Sequence, residues 1–254
     1  MELIDTHTHL YLPEFDSDRQ EMIERAAGSG VTRLLMPNID LASVEPMLSA
    51  AGSYKNTYMM AGLHPTSVKE NYVQEIEEIN RRLAGNKIIA IGEVGIDLYW
   101  DKTRLLEQIE AFSVQIEMAI ASDLPLVIHS RESFPEVFAV LDRFAGEKMK
   151  GVFHAFSGTI DDARRAVGMG FMLGIGGPLT FKNSRLVEVV KETGIGNIVL
   201  ETDSPYLAPM PFRGKRNESS YIRIINQKVA EIFSISEEES AKITYGNSCR
   251  LFNI

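Results

Sequence analysis

Ile88-Ile89-Ala90-Ile91-Gly92-Glu93 opens a stretch that passes through an amphipathic segment at 103–122 and ends on Leu126-Val127-Ile128-His129. Each flank is a short, continuously apolar run that stops on a glutamate or a histidine. Between them Leu105, Ile109, Phe112, Ile116 and Ala119 recur at spacings of four, three, four and three, which puts them on one helix face. A strand that is apolar without alternation is buried on both faces, and two such strands joined by a helix run parallel. The stretch therefore predicts a β-α-β unit that carries metal-binding side chains at the carboxyl ends of its strands.

The same unit repeats outward in both directions. Apolar, β-rich runs recur at 3–5, 33–36, 57–61, 88–91, 126–128, 151–153, 171–175 and 198–200, with helical patterns between most of them. Gly28 or Gly30 can end the first helix, and Ser236 with Glu239 reads as a capping box. Eight such units in 254 residues match the arithmetic of a closed (β/α)8 TIM barrel of the α/β class. A doubly wound open sheet has the same periodicity. The distribution of polar residues separates the two: His7 and His9 follow the first run, Glu93 the fourth, His129 the fifth, His154 the sixth and Asp203 the eighth. A closed barrel brings the first and eighth strand ends to one place, whereas an open sheet leaves them apart unless those two strands are neighbours. One domain, 1–254, is expected, since no linker, repeat or low-complexity tract interrupts the pattern. The longest irregular stretch, 204–219, follows the last strand and reads as a functional loop.

Hydrophobic residues make up 44% and charged residues 24% of the chain, the balance of an ordinary soluble protein. No apolar run approaches the ~20 residues needed to cross a bilayer, and the first strand leaves no room for a signal segment, so a cytoplasmic location without membrane attachment is expected. The lone Cys249 forms no internal disulfide and reads as a packing residue. A net charge of -9 argues against holding nucleic acid by broad phosphate neutralisation. It leaves room for a nucleic-acid enzyme in which divalent ions supply the local positive field. A monomer is the default expectation.

Four of the five histidines thus sit where a metal would want them. Residues i and i+2 of a strand share a side, so His7 and His9 can grip one ion with Asp203. His129 and His154 can surround a second, and Glu93 can bridge the two with its paired oxygens. Imidazole mixed with carboxylate suits Zn2+, Mn2+ or Ni2+ better than Mg2+, and two divalent ions sharing a carboxylate make a hydrolytic site. No lysine occupies a ligand position, which disfavours a carbamylated-lysine centre.

Thr6-His7-Thr8-His9-Leu10, Gly92-Glu93-Val94-Gly95-Ile96-Asp97, Ile128-His129-Ser130-Arg131, His154-Ala155-Phe156-Ser157-Gly158 and Glu201-Thr202-Asp203-Ser204-Pro205, taken in order, resemble the signature of the TatD family of metal-dependent hydrolases. The resemblance implies an amidohydrolase-like TIM barrel, a divalent metal centre and, for several members, deoxyribonuclease activity. It also implies that His7, His9, Glu93, His129, His154 and Asp203 are the metal ligands. DNA, single-stranded or at strand ends, is then the expected substrate partner. The rival is an ester, amide or aminoacyl bond cleaved by the same barrel.

Around these ligands, His64 in Gly62-Leu63-His64-Pro65 is either a turn residue ordered by its proline or, as the resemblance favours, a donor to a phosphate oxygen. Arg131 can form a forked phosphate contact or pair with a loop carboxylate. Asp203 can serve as ligand, as base for the attacking water, or as both at different stages. Glu201 and Asp5, two residues from ligands, are expected to orient the ligating histidines. Asp97 is expected to pair with a loop arginine. Arg213, Lys215 and Arg216 either form a solvated loop or guide a polyanion, and Tyr99 or Trp100 either packs or stacks on a base. The family commonly shows Asn-Glu-Pro where this chain has Asn217-Glu218-Ser219, which predicts a looser backbone there.

Overall fold

A computed structural model describes all 254 residues. Eight parallel strands, β1 (Leu3–Asp5), β2 (Val31–Pro37), β3 (Thr57–Ala61), β4 (Ile88–Asp97), β5 (Leu126–Arg131), β6 (Gly151–Phe153), β7 (Phe171–Ile175) and β8 (Ile198–Leu200), pair in sequence order. Helices α1 (Arg19–Gly28), α2 (Val44–Ser53), α3 (Tyr72–Leu83), α4 (Leu105–Ser122), α5 (Phe134–Leu141), α6 (Ile160–Gly168) and α7 (Leu186–Thr193) alternate with them, and α8 (Ile222–Phe233) and α9 (Glu237–Phe252) both follow β8. This is the TIM barrel that the alternation predicts. No helix is long and apolar enough to cross a membrane.

The seam between β8 and β1 is joined differently from the other neighbours. No regular ladder links these two strands. Instead the Thr6 amide donates to the Leu200 carbonyl at 3.1 Å, the Asp203 amide to His7 at 2.9 Å and the His9 amide to Ser204 at 2.8 Å. The barrel therefore closes through the segments that carry three of the expected ligands.

Two apolar clusters hold the fold. The larger, 50 buried residues, fills the space between the sheet and the helices. The smaller lies inside the barrel and takes Ile4, Leu35, Met60, Ile89, Val127, Val152 and Val199 from seven strands, with Leu251 and Phe252 of α9 against it. Strand alternation then decides what stands above this layer. Two residues beyond Val127 comes His129, beyond Val152 comes His154, and beyond Val199 come Glu201 and then Asp203. The apolar layer is thus the floor of a polar one.

Local signals behave as the sequence predicts, with two exceptions. Ser236 caps α9 by accepting the Glu239 amide at 3.1 Å, but the reciprocal half of the box is missing there. The complete capping box stands at α6, between Thr159 and Asp162. Strand β4 also runs on to Asp97, so Glu93 lies within the strand and not after it. The two glycines flanking Glu93 explain this. A Cβ at Gly92 would lie 2.5 Å from Val127 Cβ, and one at Gly95 would lie 2.1 Å from the His129 carbonyl. Gly95 also has φ +136°, a conformation that side chains rarely adopt. The register of β4 on β5 shifts between Gly92 and Val94, which aims Glu93 inward. Cys249 packs against the inner cluster and receives an Arg33 N–H at 3.1 Å.

Candidate metal centre

All the expected ligands meet at the carboxyl ends of the strands. His7 Nε2 lies 3.3 Å from His9 Nε2, 3.2 Å from Glu93 Oε2 and 3.8 Å from Asp203 Oδ1. His9 Nε2 lies 3.5 Å from the same Asp203 oxygen. On the other side of Glu93, Oε1 faces His129 Nδ1 at 2.8 Å, His154 Nε2 at 3.5 Å and His64 Nε2 at 3.2 Å. The two oxygens of one carboxylate therefore look into two different clusters of donors. Such a set of closely spaced ring nitrogens and carboxylates can hold divalent cations.

Whether each histidine is ready to be a ligand depends on which nitrogen carries its proton, and the outer partners set this. The Tyr11 hydroxyl donates to the Pro37 carbonyl at 2.6 Å, so it accepts from His9 Nδ1 at 3.1 Å and leaves the Nε2 lone pair facing inward. Asp97 Oδ2, at 2.9 Å, accepts from His129 Nε2, so Nδ1, 2.8 Å from Glu93 Oε1, is the nitrogen that would give up its proton to face a cation. Glu201 Oε1 sits 3.0 Å from His154 Nδ1, at an angle short of good hydrogen-bond geometry, and its charge favours the proton on that nitrogen, with Nε2 towards Glu93. His64 is opposite in sense. Its Nδ1 accepts the Thr66 amide at 3.1 Å, so its Nε2 carries the proton and points a donor at Glu93. Three imidazoles are thereby prepared as ligands and a fourth as a donor. His7 Nδ1 has no partner, which leaves its tautomer free to match whatever Nε2 meets.

The electrostatics follow from burial and crowding. Burial, reinforced by His154, pushes His7 below the ordinary imidazole value. Burial alone would raise the Glu93 carboxyl. Electrostatic attraction to the surrounding imidazoles of His64, His154 and His7, with the His129 hydrogen bond, outweighs it and holds Glu93 well below the usual carboxylate range. Burial opposes protonation of His154 too, but Glu201, Glu93 and Asp203 raise it to about 10. A ring held protonated by carboxylates marks a place built for positive charge, and a bound cation would take over from the Nε2 proton.

Around this centre the structure corrects several expectations. Asp97 pairs with no arginine; besides His129 it receives the Tyr99 and Trp100 amides on Oδ1 at 2.9 and 3.0 Å. Asp5 does not touch an imidazole. It accepts from Thr202 N at 2.9 Å and Thr202 Oγ1 at 2.6 Å, and so ties β1 to the loop that carries Asp203. Burial drives its pKa up to about 7. Arg213, Lys215 and Arg216 do not line the cleft. Arg216 instead grips Asp18 at 2.6 and 2.7 Å, and Arg213 lies 4.6 Å over the Phe181 ring. Nor is the backbone loose at Ser219. That residue is fully buried at the start of a 3-10 turn, and neighbouring Glu218 receives Arg25. Arg131 pairs with no loop carboxylate but stacks 3.8 Å from the Tyr99 centroid. Two residues of the site carried no sequence signal of their own: Tyr11, buried behind His9 and outside the cleft, and Arg185, on the cleft wall beside α7.

The cleft over the centre encloses about 1200 Å³ and is lined by His9, His64, Glu93, His129, His154 and Asp203 at its base. A (β/α)8 barrel with this donor set under an open cleft defines a metal-dependent hydrolase. Comparison with known proteins gives the class its narrower place. The chain belongs to the TatD family: the family model described as TatD related DNase matches residues 4–253. It is 38% identical over 253 residues, 99% of each chain, to the uncharacterized metal-dependent hydrolase YabD of Bacillus subtilis. Among solved structures, the TatD homologue YjjV from Escherichia coli superposes with a TM-score of 0.92 at 29% identity, covering 99% of this chain and 98% of that one. An uncharacterized amidohydrolase from Saccharomyces cerevisiae, 18% identical, with 99% of this chain and 100% of that one covered, shares the fold at a TM-score of 0.85.

Proposed function

We propose that this chain is a deoxyribonuclease that hydrolyses phosphodiesters of single-stranded DNA or strand ends with two divalent ions. One observation carries the reading: Glu93 presents Oε2 to His7 and His9 and Oε1 to His129 and His154, with Asp203 Oδ1 against the first pair. His7, His9 and Asp203 would hold one ion, His129 and His154 the other, and Glu93 would join them. A pair of ions suits phosphoryl transfer, where charge develops on both the attacking and the leaving oxygen. The family description as a DNase supports the choice of DNA.

Divalent cations bound here, whether Zn, Mn, Ni or Mg, would polarise the phosphoryl oxygens and lower the pKa of the attacking water. The chain's own groups do the rest. Asp203 takes the proton of the water as its oxygen attacks phosphorus in line. His64, held as a donor by the Thr66 amide, hydrogen-bonds a non-bridging phosphate oxygen. Arg131, on the cleft rim, offers in-plane N–H groups to the same backbone while its face rests on Tyr99. As the bond from phosphorus to the leaving oxygen breaks, the proton passes from Asp203 to that oxygen.

The test is turnover of single-stranded and duplex DNA beside p-nitrophenyl esters and N-acyl amino acids, using chelated protein reloaded with each metal. DNA cleavage that disappears on chelation and in His129→Ala and Asp203→Ala is the expected result. Cleavage surviving all three treatments overturns the reading. Turnover of esters or amides with DNA left intact hands the site to the rival chemistry.

A further inference from the structure

Only eight large apolar side chains are strongly exposed, and three of them, Trp100, Tyr206 and Leu207, line the mouth of the cleft, with Tyr99 beside Trp100. Trp100 is 69% exposed and Tyr99 50%, although both follow a strand whose preceding residues are buried. Leaving such rings in water forgoes burial energy that the packed alternative would provide. The loop is nonetheless fixed and not loose. Asp97 Oδ1 accepts both backbone amides, and the Leu98 amide donates to the Arg131 carbonyl at 2.9 Å, locking the end of β4 to the end of β5. Arg131 lies 3.8 Å from the Tyr99 centroid and 5.6 Å from that of Trp100, and the two rings meet edge to face at 5.0 Å.

We infer that Tyr99, Trp100 and Arg131 form a stacking platform for one unpaired nucleobase of the strand whose phosphate lies at the metal centre. The inference rests on the phosphodiesterase reading above and names how that site chooses its substrate. A planar π-face matches a base, and the stacked guanidinium adds a cation beside it without asking for any particular base edge. The platform is one carboxylate away from the chemistry: Asp97 holds the loop with Oδ1 and His129 with Oδ2. A base inside a duplex has both faces covered by its neighbours, so only a single strand or a frayed end can use the platform. Selection for unpaired DNA follows without sequence preference.

Trp100 is the only tryptophan in the chain, so its fluorescence reports on the platform alone. The metal-loaded protein is titrated with deoxyadenosine 3′- or 5′-monophosphate and with 2-deoxyribose 5-phosphate, which shares the anion but lacks the base. Quenching by the nucleotide and not by the sugar phosphate is expected. In parallel, Trp100→Ala should raise KM for oligothymidylate by about 5- to 150-fold, the range of one lost stacking contact, with kcat and cleavage of an abasic strand unchanged. Trp100→Phe should restore most of the loss. Equal quenching by both ligands, or a KM change shared by the abasic strand, overturns the platform. Should wild-type protein cleave no DNA while nucleotides still quench Trp100, the nuclease reading fails and the platform stands; cleavage with no base-dependent quenching does the reverse.

Discussion

Replacing Asp97 by asparagine tests the tautomer argument with almost no change of shape. In the native chain Oδ1 is committed to two backbone amides and Oδ2 accepts from His129 Nε2 at 2.9 Å. The asparagine must keep its oxygen under the two amides, so its NH2 group replaces Oδ2 and faces another N–H. His129 escapes the conflict by moving its proton to Nδ1, where Glu93 Oε1 at 2.8 Å accepts it. The ring is then satisfied but has lost the lone pair that would face a cation. Restoring it leaves a buried donor unpaired, which costs about 1–3 kcal/mol. Affinity for a cation held on the His129 side of Glu93 should therefore fall by about 5- to 150-fold, a span that includes the ~10–100-fold typical of lost outer-shell partners. Competition against a chromophoric chelator measures this, and the thermal midpoint of the metal-free variant reports any general damage. Wild-type metal affinity in a folded Asp97→Asn protein would refute the assignment of His129 Nδ1 as ligand.

Two further outcomes concern the scaffold. Leu35→Ala empties part of the layer inside the barrel, where the side chain is fully buried, and should cost about 2–5 kcal/mol in urea-induced unfolding. The Arg216–Asp18 and Arg25–Glu218 pairs pin the 204–219 loop to α1, and hydrogen bonds from Arg216 and then Arg25 hold Asp18 below the ordinary carboxylate range. Glu218 is likewise lowered, its Arg25 and Ser220 contacts outweighing the opposing effect of burial. A carboxylate lowered in the folded state contributes stability above its unfolded pKa and loses it as pH falls through the folded one. The gap in thermal midpoint between wild type and Arg216→Met should thus be widest near neutrality and close below about pH 4. A gap that grows on acidification would contradict this.

Much of the molecule could be read in advance because its signals are local. Each strand announces itself as an unbroken apolar run between polar helices, and placing ligands after five of those runs already demanded a closed barrel. What escaped depends on partners far along the chain. The apolar pattern of β4 stops at Ile91, yet the strand continues because glycines at 92 and 95 let it press against β5. Asp97 was expected beside an arginine because acids in loops commonly find one; its actual partner, His129, arrives from the neighbouring strand. Arg216 is drawn to Asp18, just before the first helix, across 198 residues, which no spacing rule can foresee. Tyr11 fixes the protonation of His9 only because Pro37 takes its hydroxyl proton.

The join between β8 and β1 has a mechanical corollary. Every other pair of neighbouring strands is stitched by its own ladder, whereas this one is fastened by the very segments that bear His7, His9 and Asp203. An ion gripped by those three side chains would act as a clasp across the cylinder's one unlaced edge. Loading the catalyst and tightening the hoop would then be a single event.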